Sequence, residues 1–146
     1  MTGIPSQPEQ GERAPAGYPR LPTRDGTRSL KFRQAAFVYL HVAILYEVAA
    51  YAMWKNGLLP AQFGPPLLWL VAGSVVAGAI FAGLNWWQNV WLARVVWLLH
   101  GLRLPALVEG AFLRGGEGRI APSFYLLAIV VVIINLWMLA RAGWDL

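Results

Sequence analysis

The sequence predicts an all-α membrane protein with four transmembrane helices, short loops and an extended N-terminal tail. Of its 146 residues, 58% are hydrophobic and only 13% are charged, whereas soluble domains average about a quarter charged residues. The mean hydropathy is +0.49. Four apolar stretches follow a polar segment, and each has roughly the 20 residues that cross a bilayer as a helix.

The N-terminal segment, residues 1–33, is rich in Pro, Gly, Arg and Thr and has no apolar periodicity. It buries too little surface to offset its ordering entropy, which predicts an extended or disordered cytoplasmic tail. Its five prolines, from Pro5 to Pro22, favour extended conformations that gain order by lying along another surface. We therefore expect residues 2–19 to dock on a partner protein.

The remainder, residues 34–146, is predicted to be the transmembrane domain. Its spans are expected at about residues 34–54, 65–85, 95–113 and 122–140. Gly57 and Pro60 end the first span. Residues 85–94 place three tryptophans beside Asn, Gln and Arg, which is typical of the headgroup level. Pro105 predicts a kink in the third span.

Basic residues near the spans predict the orientation. Seven fall on the side of the N-terminus and three on the other. The seven are Arg20, Arg24, Arg28, Lys31, Arg33, Arg94 and Arg141, and the three are Lys55, Arg114 and Arg119. The positive-inside rule then places both termini in the cytoplasm, and we expect the bacterial inner membrane. Because these charges flank apolar segments, the net charge of +5 does not indicate a nucleic-acid partner.

Several classes of chemistry are excluded or not indicated. The chain has no cysteine, which excludes disulfides, thiolate zinc sites and iron–sulfur clusters formed by this chain alone. No nucleophile elbow, phosphate loop, paired metal-ligand spacing or dinucleotide fingerprint is present. We therefore expect a protein that is not an enzyme and has no metal site.

The second span carries small residues at four-residue spacing. They are Gly73, Ser74, Ala77, Gly78 and Ala82. Small side chains on one face of a membrane helix let another helix backbone approach closely. This stripe is therefore predicted to be a helix-packing surface.

Two histidines form a candidate cofactor site. His41 lies seven residues after Gln34 and His100 five residues after Val95. At 1.5 Å per residue both are roughly 8 to 10 Å below the cytoplasmic surface. Two imidazoles at matched depth are the minimum for a bis-histidine haem b, or for binding two chlorin pigments separately. The alternative is that each histidine bonds a backbone carbonyl or a polar neighbour and holds helices together.

Three charged residues inside the spans need shelter from lipid. Glu47 and Arg103 differ in depth by ~7 Å, which long side chains bridge, so we expect a structural polar pair. Glu109 falls on the opposite side of the third helix from His100 and within reach of Arg114 or Arg119. In the alternative reading, Glu47 and Glu109 belong to a proton path.

These patterns favour a non-enzymatic accessory or scaffold subunit of a larger membrane complex in bioenergetics, respiratory or photosynthetic. Its expected partners are other membrane subunits and the lipid bilayer. The alternatives are a small electron-transfer or pigment-binding protein that uses His41 and His100, and a small channel or proton-coupled transporter. What co-purifies with the chain separates these functions.

The orientation gives a direct test. Reporter fusions at residue 33 and at Asp145 should both report the cytoplasmic side, because four spans return the chain to the side from which it started. Fusions that report opposite sides would instead favour residues 85–104 lying flat in the interface.

Overall fold

A computed structural model describes residues 24–58, 66–113 and 120–146. All regular secondary structure in these ranges is helical. Four of the described segments are long and apolar enough to cross a membrane, namely Asp25–Lys55, Leu67–Asn85, Val90–Leu113 and Pro122–Trp144. The predicted all-α class with four spans is confirmed. The predicted docking of residues 2–19 lies outside the described residues.

The first helix, α1, runs over Arg24–Lys55 and begins well before the predicted residue 34. The prediction of an irregular tail up to residue 33 is therefore wrong for its last part. Phe32 is fully buried, and Lys31 forms an ion pair with Asp145 near the C-terminus at 2.8 Å. These two contacts, which the local sequence does not reveal, stabilise the extra helical turns.

The remaining helices are α2 (Pro66–Asn85), α3 (Val90–Gly101), α4 (Leu104–Val108) and α5 (Pro122–Trp144). Helix α1 packs against both α2 and α5, and α3 packs mainly against α5. The side chain of Asn89 begins α3 by accepting a hydrogen bond from the backbone N–H of Leu92 at 3.1 Å, as an N-cap does. Helices α2 and α3 thus lie on the two outer sides of α1 and α5.

The core lies towards the end of the bundle where α1 begins and α5 ends. Its buried members are alanines and larger aliphatic or aromatic side chains from all four spans. They are Phe32, Ala35, Ala36, Tyr39, Ala77, Leu84, Ala93, Val96, Leu139 and Ala142. The alanines allow the helices to approach closely, and the larger residues fill the space between them.

The helix of the third span is interrupted just before Pro105, where the sequence predicts a kink. Helix α3 ends at Gly101, α4 begins at Leu104, and a π-helical turn, Glu109–Leu113, follows. Proline has no N–H to donate to the carbonyl of Gly101, and its ring crowds that carbonyl. Just before the proline, the backbone N–H of Arg103 donates to the carbonyl oxygen of His100, three residues earlier, at 3.1 Å. The break therefore lies between Pro105 and the carbonyl that it cannot bond.

The small-residue stripe of α2 does not act as one surface. Ala77 is buried, and Gly73 and Ser74 face Glu47 of α1, as a packing surface requires. Gly78 is exposed and has no neighbouring side chain within 4 Å of where a Cβ would lie. Gly78 therefore makes no close contact with another helix of this chain, because the helix turns that residue outward, and its role in helix packing stays a prediction.

A close contact that the sequence did not single out lies at Gly110, in the π-helical turn. A Cβ built on Gly110 would lie 2.5 Å from the ring of Tyr125 on α5. We expect Gly110→Ala to lower the free energy of unfolding by ~1–3 kcal/mol through overpacking. Gly78→Ala, the control, should be neutral or stabilising by up to ~1 kcal/mol because alanine is the better helix former. Thermal unfolding in detergent measures both. Equal effects of the two substitutions would contradict this packing.

Candidate functional site

The carboxylate of Glu47 is held by the small-residue face of α2. Its Oε2 atom accepts a hydrogen bond from the hydroxyl of Ser74 at 2.9 Å. A Cβ on Gly73 would lie 2.8 Å from Oε1, so the missing side chain of Gly73 makes the room that the carboxylate occupies. Helix α2 thus supplies both a donor and a space for this acidic group of α1.

Arg103 and Glu47, predicted to be a structural polar pair, form no direct ion pair with each other in the described structure. Its guanidinium carbon lies 5.2 Å from the ring centroid of Tyr46, a cation–π geometry. Within the described residues, an ion pair joins Lys31 to Asp145. Glu47 turns towards α2, while Tyr46, its neighbour in sequence, faces Arg103 between α3 and α4. The two charged groups therefore make their contacts with different helices.

His100 lies inside the bundle. It is only 8% exposed, and its Nδ1 atom lies 3.0 Å from the carbonyl oxygen of Val96 one turn earlier. Its ring meets the ring of Tyr39 of α1 edge-on, with the centroids 5.6 Å apart. His100 therefore joins α3 to α1 through ring packing, as the alternative interpretation of the histidines expected.

His41 lies on the outside of the bundle. It is exposed, and its Nδ1 atom lies 2.7 Å from the carbonyl oxygen of Phe37. Two residues along a helix correspond to a rotation of about 200°, so His41 points away from the side on which Tyr39 meets His100. A bis-histidine haem between His41 and His100, the candidate site of the alternative function, does not fit this arrangement, because Tyr39 holds the position facing His100.

His41 and Arg103 are both exposed and both lie near the middle of a span. His41 is 16 residues after the start of the span Asp25–Lys55 and 14 before its end. Arg103 is 13 residues after the start of Val90–Leu113 and 10 before its end. Polar side chains at this depth are costly against lipid. The outer surface of the bundle therefore carries two polar groups where hydrocarbon would surround a freestanding chain.

Glu109 begins the π-helical turn, and such turns are frequent at functional sites. The basic residues predicted to pair with it, Arg114 and Arg119, lie outside the described residues. Asn135, the polar residue of the fourth span, is fully buried on α5. The structure therefore adds Asn135 to His100 as a polar residue of the interior.

A cluster that the sequence did not identify lies at the end of the bundle where α1 begins. Arg94 of α3 donates from Nε to the carbonyl oxygen of Gly143 at 3.0 Å. Its guanidinium carbon lies 5.4 Å from the ring centroid of Trp91 and 5.3 Å from that of Trp144. Arg94 thereby satisfies a carbonyl at the C-terminus of α5. The sequence placed Arg94 among the seven basic residues that predict the orientation.

The fold and these side chains define a multi-pass helical membrane protein. In the ranges that the structure describes, no group of three or more His, Cys, Asp or Glu side chains is placed to hold a metal ion. Comparison with protein-family models, with curated proteins and with solved structures finds no match to this chain.

The contact between Glu47 and Ser74 predicts a measurable coupling. In a double-mutant cycle of Glu47→Gln and Ser74→Ala, we expect a coupling free energy of ~0.6 kcal/mol and at most ~1.7 kcal/mol. The control cycle combines Glu47→Gln with Val76→Ala, and its effects should be additive. Val76 is an exposed residue of α2, the helix that carries Ser74. Unfolding in detergent gives all the values. A cycle without coupling would show that the hydrogen bond adds no stability.

Proposed function

We propose that this chain is a non-enzymatic accessory or scaffold subunit of a larger membrane complex. The complex that we propose is respiratory or photosynthetic, in the bacterial inner membrane, with both termini of this chain in the cytoplasm. The observation that carries the proposal is the exposure of Arg103 near the middle of the third span.

Exposure of apolar side chains does not separate a subunit from a freestanding membrane protein. In each span, only 17 to 22% of the most apolar 18-residue window is buried within the chain. Lipid and a partner helix both cover apolar side chains well, because lipid tails are as apolar as leucine. Polar groups on the same surface are more informative, since lipid cannot hydrogen-bond to them.

Arg103 is the strongest case. A central arginine costs at least ~2.5 kcal/mol on insertion scales, and one aromatic face satisfies none of its five N–H donors. A carboxylate or several backbone carbonyls of a neighbouring subunit would satisfy them. His41 supports the same view from α1, because its Nδ1 atom is engaged by Phe37 while its exposed ring remains accessible to another protein.

A second candidate function rests on His41 alone. When Nδ1 of an imidazole donates to a backbone carbonyl, Nε2 is left as a ligand atom, the usual orientation of a metal-binding histidine. Nδ1 of His41 lies 2.7 Å from the carbonyl oxygen of Phe37, so His41 fits a chlorin pigment bound at the outer surface. The absorption spectrum of the purified protein distinguishes this function from a purely structural one.

Replacing Arg103 tests the subunit proposal, because an arginine that pairs with a partner and an arginine that faces lipid respond to the substitution in opposite ways. If a partner supplies an acidic group, Arg103→Leu leaves that charge buried and should weaken the association by about thirtyfold or more. Affinity purification in mild detergent over a dilution series, with quantitative mass spectrometry, measures the partner retained.

The matched control is Leu102→Ala, which removes exposed apolar surface beside Arg103 without changing charge. It should leave the association nearly unchanged. If instead no stoichiometric partner is recovered and Arg103→Leu raises the thermal stability of the chain, Arg103 faces lipid and the subunit proposal fails.

A further inference from the structure

A cavity of about 410 Å³ opens at the end of the bundle where α1 and α3 begin and α5 ends. This size falls within the range of ~300–1,000 Å³ typical of ligand pockets. Its charged lining consists of Arg28, Lys31 and Arg94 together with Asp25 and Asp145. Three helices that are distant in sequence therefore bring their terminal charges to one cavity.

The charged side chains that line the cavity differ in whether an opposite charge of this chain neutralises them. Lys31 is paired with Asp145 at 2.8 Å, so that carboxylate is already compensated. Arg28 lies over the ring of Phe32 at 5.8 Å and Arg94 lies between two indole rings, and neither contact neutralises a charge. Three cations against two carboxylates leave one net positive charge, which suits a singly charged anion better than a polyanion.

Arg94 supplies the geometry for such an anion. Its Nε atom donates to Gly143, and this contact with the packing of Trp91 and Trp144 fixes the plane of the guanidinium. In the described part of the chain, the hydrogen bond from Arg94 to an oxygen uses Nε, so both Nη atoms remain available. A held guanidinium with two available N–H groups matches the oxygens of a phosphate.

We propose that this cavity binds a phosphate group, with Arg94 as the bidentate contact and Arg28 as the second cation. The group comes from the headgroup of an anionic phospholipid or from free phosphate. The position favours the lipid, because the proposed orientation puts this end at the cytoplasmic side, where basic pockets between transmembrane helices bind anionic headgroups. The exposed indole of Trp91 is typical of the same depth.

The test uses the full chain in a non-ionic detergent and follows thermal stability during titration. Three probes are compared: phosphatidylglycerol, diacylglycerol with the same acyl chains, and inorganic phosphate. We expect phosphatidylglycerol to stabilise the wild type and diacylglycerol to have little effect. Arg28→Gln should raise the apparent Kd for phosphatidylglycerol about fivefold, the loss expected for one cation near the headgroups.

Arg33→Gln is the matched control. Arg33 lies on the same helix over the ring of Phe37 at 6.0 Å, as Arg28 lies over Phe32, but it does not line this cavity. Its substitution should leave the apparent Kd unchanged. Arg94→Lys keeps the charge and loses the two-pronged donor, so it should also weaken binding. Arg28 is exposed, which makes Arg28→Gln the variant that folds if Arg94→Lys does not.

The outcomes distinguish a lipid headgroup from free phosphate as the ligand, and they also test whether the site exists. Stabilisation by inorganic phosphate that is weakened by Arg28→Gln, without preference for phosphatidylglycerol, supports the site with free phosphate as its ligand. Equal stabilisation by diacylglycerol and phosphatidylglycerol overturns the proposal. Equal weakening by Arg28→Gln and Arg33→Gln also overturns it, because the attraction would then be that of a diffuse basic surface.

Discussion

The close approach of α1 to its neighbours is the constraint on which the rest of the structure depends. Helix α1 packs against both α2 and α5, and its buried face is built largely from Ala35 and Ala36 between Phe32 and Tyr39. In lipid the hydrophobic effect does not drive helices together, so van der Waals contact between close-fitting surfaces must do so. The small residues of α1 and α2 make this contact possible and fix where the polar side chains lie.

The polar side chains then divide into two groups according to that packing. Glu47 and His100 lie between helices of this chain, where Ser74 and Tyr39 meet them. His41 and Arg103 lie on its outer surface near mid-span. Each polar group costs free energy in hydrocarbon unless it is satisfied. Glu47 and His100 find their contacts within this chain and need no partner. The second group is the physical basis for proposing a partner.

The end of the bundle where α5 finishes is held by charges rather than by apolar packing alone. Lys31 reaches Asp145 and Arg94 reaches the carbonyl of Gly143, so α1 and α3 both hold the last turn of α5. Arg94 thus satisfies a carbonyl that an isolated helix would leave to water. The same residues line the cavity proposed to take a phosphate, because the charges that hold α5 also converge there.

The sequence by itself determined the class, the four spans and a distortion of the third helix at Pro105, because these follow from hydropathy, helix length and the missing N–H of proline. It also identified Gly73, Ser74 and Ala77 as a packing surface from their spacing. Only the tertiary structure decided which side of α1 faces inward. That rotation put Tyr39 opposite His100, turned His41 outward and directed Glu47 to Ser74 instead of Arg103. Matched depth along two helices does not fix their rotation about their own axes, which depends on packing between residues distant in sequence.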